Sequence, residues 1–163
     1  MTALSDALAE PAFVRRFWNN VVPDAGCWGW TGTLDDGYAR ISLRGRYFKA
    51  HRVSFELHHR VLADDELVDH RCHVKHCTNP GCLRVADRKR DGENLTGLNA
   101  LNTSGYRGVT WVADAAMWQA QARHNGKFYR FGRFADPVEA AEAARQGRLQ
   151  LFTYNDEDRM TNV

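Results

Sequence analysis

Three cysteines within eleven residues constrain this chain more than any other feature. Cys72, Cys77 and Cys82 stand in the stretch from Asp69 to Leu83, DHRCHVKHCTNPGCL, with C-x4-C-x4-C spacing. The chain's fourth cysteine, Cys27, lies far upstream, just ahead of a hairpin pattern. Structural zinc takes four tetrahedral thiolate or imidazole ligands, and these four cysteines supply such a set with none left over. A remote Cys27 would staple the hairpin to the loop. In a module with little core, the metal then carries part of the folding free energy. His73 and His76 lie in the same loop and are alternative ligands for one cysteine, so spacing alone leaves the set open. The plainer reading is four ordinary thiols.

If the cysteines hold zinc, His70 is spared. It ends a strand pattern (LVDH) two residues before Cys72, so a rigid cage would fix its position. Neutral imidazole can take a proton from water near pH 7. Downstream, RKRDGEN reads as the start of a helix. It places Asp91 and Asn94 one turn apart, where either can present an oxygen ligand to a divalent cation. Against this stands the reading of His70 as a surface histidine with no chemistry.

The rest of the chain reads as two α+β parts. The 163 residues are 44% hydrophobic and 26% charged, a globular composition with no run long enough for a membrane helix. The N-terminus lacks the pattern of a signal peptide. An intracellular, cytoplasmic location is therefore expected, and there cysteines serve metals more often than disulfides. Residues 4–20 read as a short helix, GYARISL and RYFKA as a hairpin, AHRVSFELHH as a helix and LRVAD as a strand. The polar stretch around 97–105 reads as a linker. Beyond it, YRGVTWV, MWQAQARH and KFYRFGRF are strand candidates, the last two joined by Asn-Gly. PVEAAEAARQGRLQLF is a helix with Pro137 in its first turn. The expected domains are 1–96, a linker at 97–105, and 106–163.

Net charge is only +2, but it is unevenly spread. Residues 101–135 hold five basic residues and one acid, and RKR stands at 88–90. Such separation suits a phosphate backbone, although any one charge run can equally be a solvated face. Within WQAQAR, Gln119, Gln121 and Arg123 share one strand face. Ala120 and Ala122 share the other, against the helix. A polar sheet face with glutamine and arginine can read base edges.

The segment GCWGWTG…GYARI…AHRVSFELHH…LVDHRCHVKHCTNPGCLRVADRKRDGEN resembles the HNH (His-Me finger) endonucleases of the zinc-binding homing type, common in phages, over about residues 12–96. The resemblance implies a zinc-stabilised ββα-metal fold. In it His70 is the general base, Asn79 orients the loop and the base, and Cys27, Cys72 and Cys77 are zinc ligands. Cys82 stands where the family has histidine. The family's metal-binding Asn position is occupied by Asp91, with Asn94 three residues later; either is the expected Mg²⁺ ligand. Asp69 is a further one, if the strand ends there, because adjacent strand side chains otherwise face opposite ways. The implied reaction is hydrolysis of DNA to 3′-hydroxyl and 5′-phosphate ends, with Arg52 either clamping the phosphate or, with His51, serving structure.

NTSGYRGVTWVADAAMWQAQARHNGKFYRFGRFADPVEAAEAA resembles the APETALA/ethylene-response-factor DNA-binding domain, over about residues 102–152. That family lays a three-stranded sheet, packed on one helix, into the major groove. The resemblance implies base or backbone contacts from Arg107, Thr110, Gln121, Arg123 and Arg130, with Lys127 and Arg133 toward phosphates or solvent. Trp111 and Trp118 are candidates for sugar contacts, Trp118 more readily for the core. The expectation is a zinc- and magnesium-dependent endonuclease acting on double-stranded DNA, monomeric or dimeric. The alternative is a DNA-binding regulator carrying an inactive, zinc-stabilised remnant of the nuclease.

Overall fold

The structure, a computed structural model, describes residues 2–94 and 97–160, with the backbone alone at Arg88, Asp91 and Met160. The chain divides into two compact units, meeting in sequence at Asp87 and Arg88. Both are mixed α and β, with small antiparallel sheets.

The first unit opens with α1 (Ala3–Leu8) and α2 (Pro11–Asn19). A single helix was expected here. Pro11 divides it, because proline has no N–H to continue a helix but suits its first turn. Phe13 and Phe17 lie one turn apart on α2 and are almost fully buried. The short strands β1 (Val21–Val22) and β2 (Gly29–Trp30) pair across the loop that holds Cys27. Next come β3 (Leu34–Asp35), β4 (Tyr38–Leu43) and β5 (Arg46–Lys49), an antiparallel meander. The expected GYARISL/RYFKA hairpin is β4 and β5. Arg44 (φ 50°) and Gly45 (φ 78°) form its left-handed turn. Helix α3 (Ala50–His58) then packs Ala50 and Val53 into the same core as Phe13, Phe17, Ala39 and Ile41. A smaller cluster of Phe55, Leu62 and Leu83 seats β6 (Leu67–His70) and β7 (Leu83–Ala86), which pair antiparallel with His70 opposite Leu83.

The second unit starts with α4 (Arg88–Glu93). The short helix expected to close the first domain therefore belongs to the second. Its reason is a buried anchor: the Glu93 carboxylate accepts from the backbone N–H of Thr153 at 2.9 Å and lies 3.1 Å from His124 Nδ1. The stretch expected as a linker is knitted to this unit by its own side chains. Asn102 Nδ2 donates to the Tyr106 carbonyl and Ser104 Oγ to the Val109 carbonyl. Strands β8 (Val109–Val112), β9 (Met117–His124) and β10 (Lys127–Phe134) form the expected three-stranded sheet in the order β10-β9-β8. Asn125 and Gly126, both at positive φ, make the β9–β10 turn. Helix α5 (Pro137–Leu151), capped by Asp136, covers one face. Ala140 and Ala144 meet Val109 and Ala120, with Trp118, Phe131 and Phe134 around them. Small residues let helix and sheet approach closely; a Cβ at Gly147 would overlap the Phe131 ring. A final helix, α6 (Asp156–Met160), follows. No helix among the described residues is long and apolar enough to cross a membrane.

Candidate functional site

The four cysteine sulfurs converge. Each lies within 4.8 Å of the others, and this is the one group of three or more His, Cys, Asp or Glu ligands among the described residues. Local hydrogen bonds explain how chain positions so far apart meet. The backbone N–H of Thr78 donates to the Trp28 carbonyl at 3.0 Å, and the Asn79 amide donates to the Gly26 carbonyl. These bonds clip the Cys27 loop onto the Cys77 loop. Asn79 also accepts from the Gly81 backbone at 2.9 Å, which sets the tight turn before Cys82. Arg71 N–H donates to the Cys82 carbonyl at 2.9 Å, closing the base of the loop between β6 and β7. Ser54 of α3 donates to the Thr78 carbonyl at 2.6 Å, tying the loop to the core helix. Asn79 thus ties the Cys27 loop to the turn before Cys82.

The cluster can hold a metal ion. Tetrahedral zinc–sulfur bonds of about 2.3 Å place sulfurs about 3.8 Å apart, within the observed spread. Neighbouring thiols also share their protons unevenly. Hydrogen bonding from Cys72 holds the Cys77 thiol down to about 5, while the same contact pushes Cys72 far up, and burial raises Cys82 to about 11. Like charges this close resist joint ionisation, so the full thiolate set calls for a cation among them. His73 and His76 are outside the cluster.

His70 ends β6 beside this loop and is 7% exposed. Its Nε2 lies 3.0 Å from the Cys77 carbonyl oxygen. A carbonyl only accepts, so Nε2 carries the proton and Nδ1 is the basic nitrogen. Burial lowers its pKa below the ordinary 6.5, partly offset by the Cys77 carbonyl bond. The imidazole is therefore neutral at pH 7, the form a base requires. Its ring meets His51 of α3 at 4.7 Å, edge to face, with Tyr38 at 6.3 Å.

Of the expected magnesium ligands, Asp69 is turned away from His70. Asp69 sits on the opposite strand face. There its carboxylate accepts from Arg84 Nε and Nη2 at 3.0 and 2.9 Å, across the β6–β7 pair. Strand alternation is the reason: β6 does not end early, so Asp69 and His70 diverge. Asn94 is buried in the second unit, where its side-chain oxygen accepts from the Asp156 backbone N–H at 3.1 Å. The Asp91 side chain lies outside the described residues. Arg52 takes the structural alternative, donating to the Glu66 carbonyl at 2.6 Å.

In the second unit, one sheet face is polar. Register places Thr110 opposite Gln119, Arg130 opposite Gln121 and Arg133 opposite Gln119 across β8, β9 and β10. Gln121 bridges the strands, donating to Thr110 Oγ1 at 3.2 Å and accepting from Gln119 Nε2 at 3.1 Å. Arg123 and Phe128 extend the face. Thr110, Gln121, Arg123 and Arg130 therefore share one surface. Arg107 does not join them. It donates to the Glu93 carbonyl at 3.0 Å, stacks on Phe152 and lies 3.9 Å from Glu157, and burial lowers its pKa. Trp118 packs in the core, while Trp111, 5.0 Å away, stays exposed.

Sequence reasoning left His51 with a structural role at most and passed over Tyr38 and Lys49. Their only signal is three-dimensional, since the hairpin and α3 must fold before His51 and Tyr38 meet His70 and Lys49 meets Tyr38. No protein-family model, curated protein or solved structure matches the chain.

Proposed function

We propose that the chain is a DNA endonuclease whose first unit cuts and whose second unit grips duplex DNA. The first unit is read as supplying the two strands and loop of a ββα-metal module, β6, the cysteine loop and β7; α4 follows them in sequence but belongs to the second unit. The observation that carries the reading is His70, held neutral by burial and in one tautomer by the carbonyl of a cysteine in the cluster. Zinc is the proposed ion, because an all-sulfur set of four suits it best. It serves as scaffold and does no chemistry.

In this reading His70 Nδ1 takes a proton from water. The oxygen forms a bond to phosphorus in line, and the bond to the 3′ oxygen breaks. The leaving oxygen is protonated by solvent, giving 3′-hydroxyl and 5′-phosphate ends. The polar sheet face supports the gripping role, since Gln121, Arg123 and Arg130 can meet base edges and backbone. The test is plasmid cleavage with Mg²⁺ or Mn²⁺, wild type against His70→Ala. Wild type that binds DNA but leaves it intact with either ion would overturn the nuclease reading.

A second reading, a DNA-binding regulator with an inactive nuclease remnant, is favoured by the engagement of Asp69 with Arg84 and of Asn94 with Asp156. The same assay separates the two.

A further inference from the structure

Tyr38 gathers an unusual neighbourhood at the mouth of the His70 site. Lys49 Nζ lies 4.4 Å from its ring centre and Lys75 Nζ 5.2 Å. The His51 ring is 5.8 Å away and the His70 ring 6.3 Å. The lysines come from separate elements, the end of β5 and the cysteine loop. Gly37, at φ 79°, leaves room for the Lys75 stem, whose Cδ a Cβ there would approach to 3.2 Å.

Two ammonium groups on one ring repel each other, and little nearby offsets them. Among the described residues Lys49 is in no ion pair. Lys75 has Asp36, whose carboxylate lies at 3.7 Å and is 91% exposed, where solvent screens the attraction, and whose backbone carbonyl accepts from Nζ at 3.3 Å. Next to them is a buried group lacking its complement. His51 is 4% exposed, and its Nδ1 has no hydrogen-bond partner among the described residues. A buried polar atom without a partner is costly and uncommon in proteins. Burial foremost, with the neighbouring cations Lys49 and Arg52 adding to it, holds the His51 pKa well below the usual value. The two ammonium groups make the local field positive, which favours an anion.

We infer that Tyr38, Lys49 and Lys75 form a cradle for one backbone phosphodiester of duplex DNA, seated beside His51 and His70. The two ammoniums neutralise the phosphate and the phenol hydroxyl can donate to it. The cradle rests on the nuclease reading for its choice of DNA, and it holds the backbone in reach of the candidate base. His51 lines its floor. Sequence does not reveal it, because the two lysines lie far apart in the chain and meet at Tyr38 only through the fold.

Its test is the salt dependence of duplex DNA binding by the full zinc-loaded chain in EDTA-free buffer without magnesium. Removing one cation–phosphate interaction flattens the slope of log K against log salt by about 0.9. Because both lysines serve the same phosphate, Lys49→Gln with Lys75→Gln should flatten the slope by about 0.9 and each single variant by part of that. Zinc content should stay at one ion per chain. The charge-matched control Arg15→Gln with Arg44→Gln, on exposed cations elsewhere in the unit, should leave the slope unchanged. An unchanged slope in the lysine variants, or an equal drop in the control, overturns the cradle. Tighter binding to duplex RNA, with the same flattening of the slope, overturns DNA as its ligand. Wild type that does not bind duplex DNA overturns both cradle and nuclease. Wild type that binds without cutting removes only the nuclease, and the slopes still decide the cradle.

Discussion

The ring nitrogen Nε2 of His70 and the backbone oxygen of Cys77 lie 3.0 Å apart, so the candidate base and the metal loop are one hydrogen-bonded unit. The loop sets the tautomer of His70. His70 in turn anchors the loop's buried cysteine.

Removing His70 should therefore separate chemistry from scaffold. His70→Ala is expected to cut plasmid DNA at least about 100-fold more slowly, the usual scale for losing a general base. Metal content and DNA affinity should stay near wild type. A variant that cuts normally would exclude His70 as the base.

The cysteine cluster should control the stability of the first unit alone. Cys77→Ala, or a strong chelator, is expected to release one metal ion per chain and lower the first unit's melting transition, with the second unit's little changed. Cys82→His should keep the ion, because imidazole replaces thiolate readily at zinc. Metal analysis with differential scanning calorimetry checks all three. A stoichiometry other than one ion per chain would break the four-cysteine site.

Acid should destabilise the first unit through His51. Its folded pKa lies well below the ordinary 6.5. The unfolded chain thus binds the proton first, and stability present above pH 6.5 is lost as pH falls toward the folded value. His51→Phe removes the titration, so its stability should fall less than wild type's over that range. Parallel acid denaturation profiles would rule this out.

The second unit depends on a buried ion pair. Arg148 Nε and Nη2 meet the two Asp158 oxygens at 2.6 and 2.8 Å, both side chains under 10% exposed. Asp158→Ala leaves a buried guanidinium uncompensated and should cost about 3–5 kcal/mol. Urea unfolding of the second unit measures it; a loss under about 1 kcal/mol would contradict the buried pair.

Residues on the polar sheet face and residues beneath it should respond differently. Gln121→Ala or Arg123→Ala is expected to weaken duplex DNA binding by about 1–3 kcal/mol with stability unchanged. Arg107→Ala should instead lower stability, since its guanidinium holds Glu93 and Phe152. Binding isotherms beside thermal melts distinguish the two outcomes. Normal affinity in both sheet variants would remove this face as a DNA contact.

The sequence by itself determined what local chemistry controls. Alternating side chains placed Gln119, Gln121 and Arg123 on one face. Asn125-Gly126 turned the last hairpin, Pro137 opened α5, and the C-x4-C-x4-C spacing marked the metal cluster. Tertiary structure decided what depends on partners distant in the chain. Helix α4 has only six residues and no core of its own. Its allegiance is set by Glu93 and Asn94, whose backbone partners lie some sixty residues downstream. Arg107 is drawn into that same seat, and Asp69 is claimed by Arg84 because the strand runs on without a break. His51 and Tyr38 reach His70, and Lys49 reaches Tyr38, only once the hairpin and α3 have packed. Periodicity carries no information about such meetings, since the free energy that fixes them comes from burial and pairing between segments far apart in sequence.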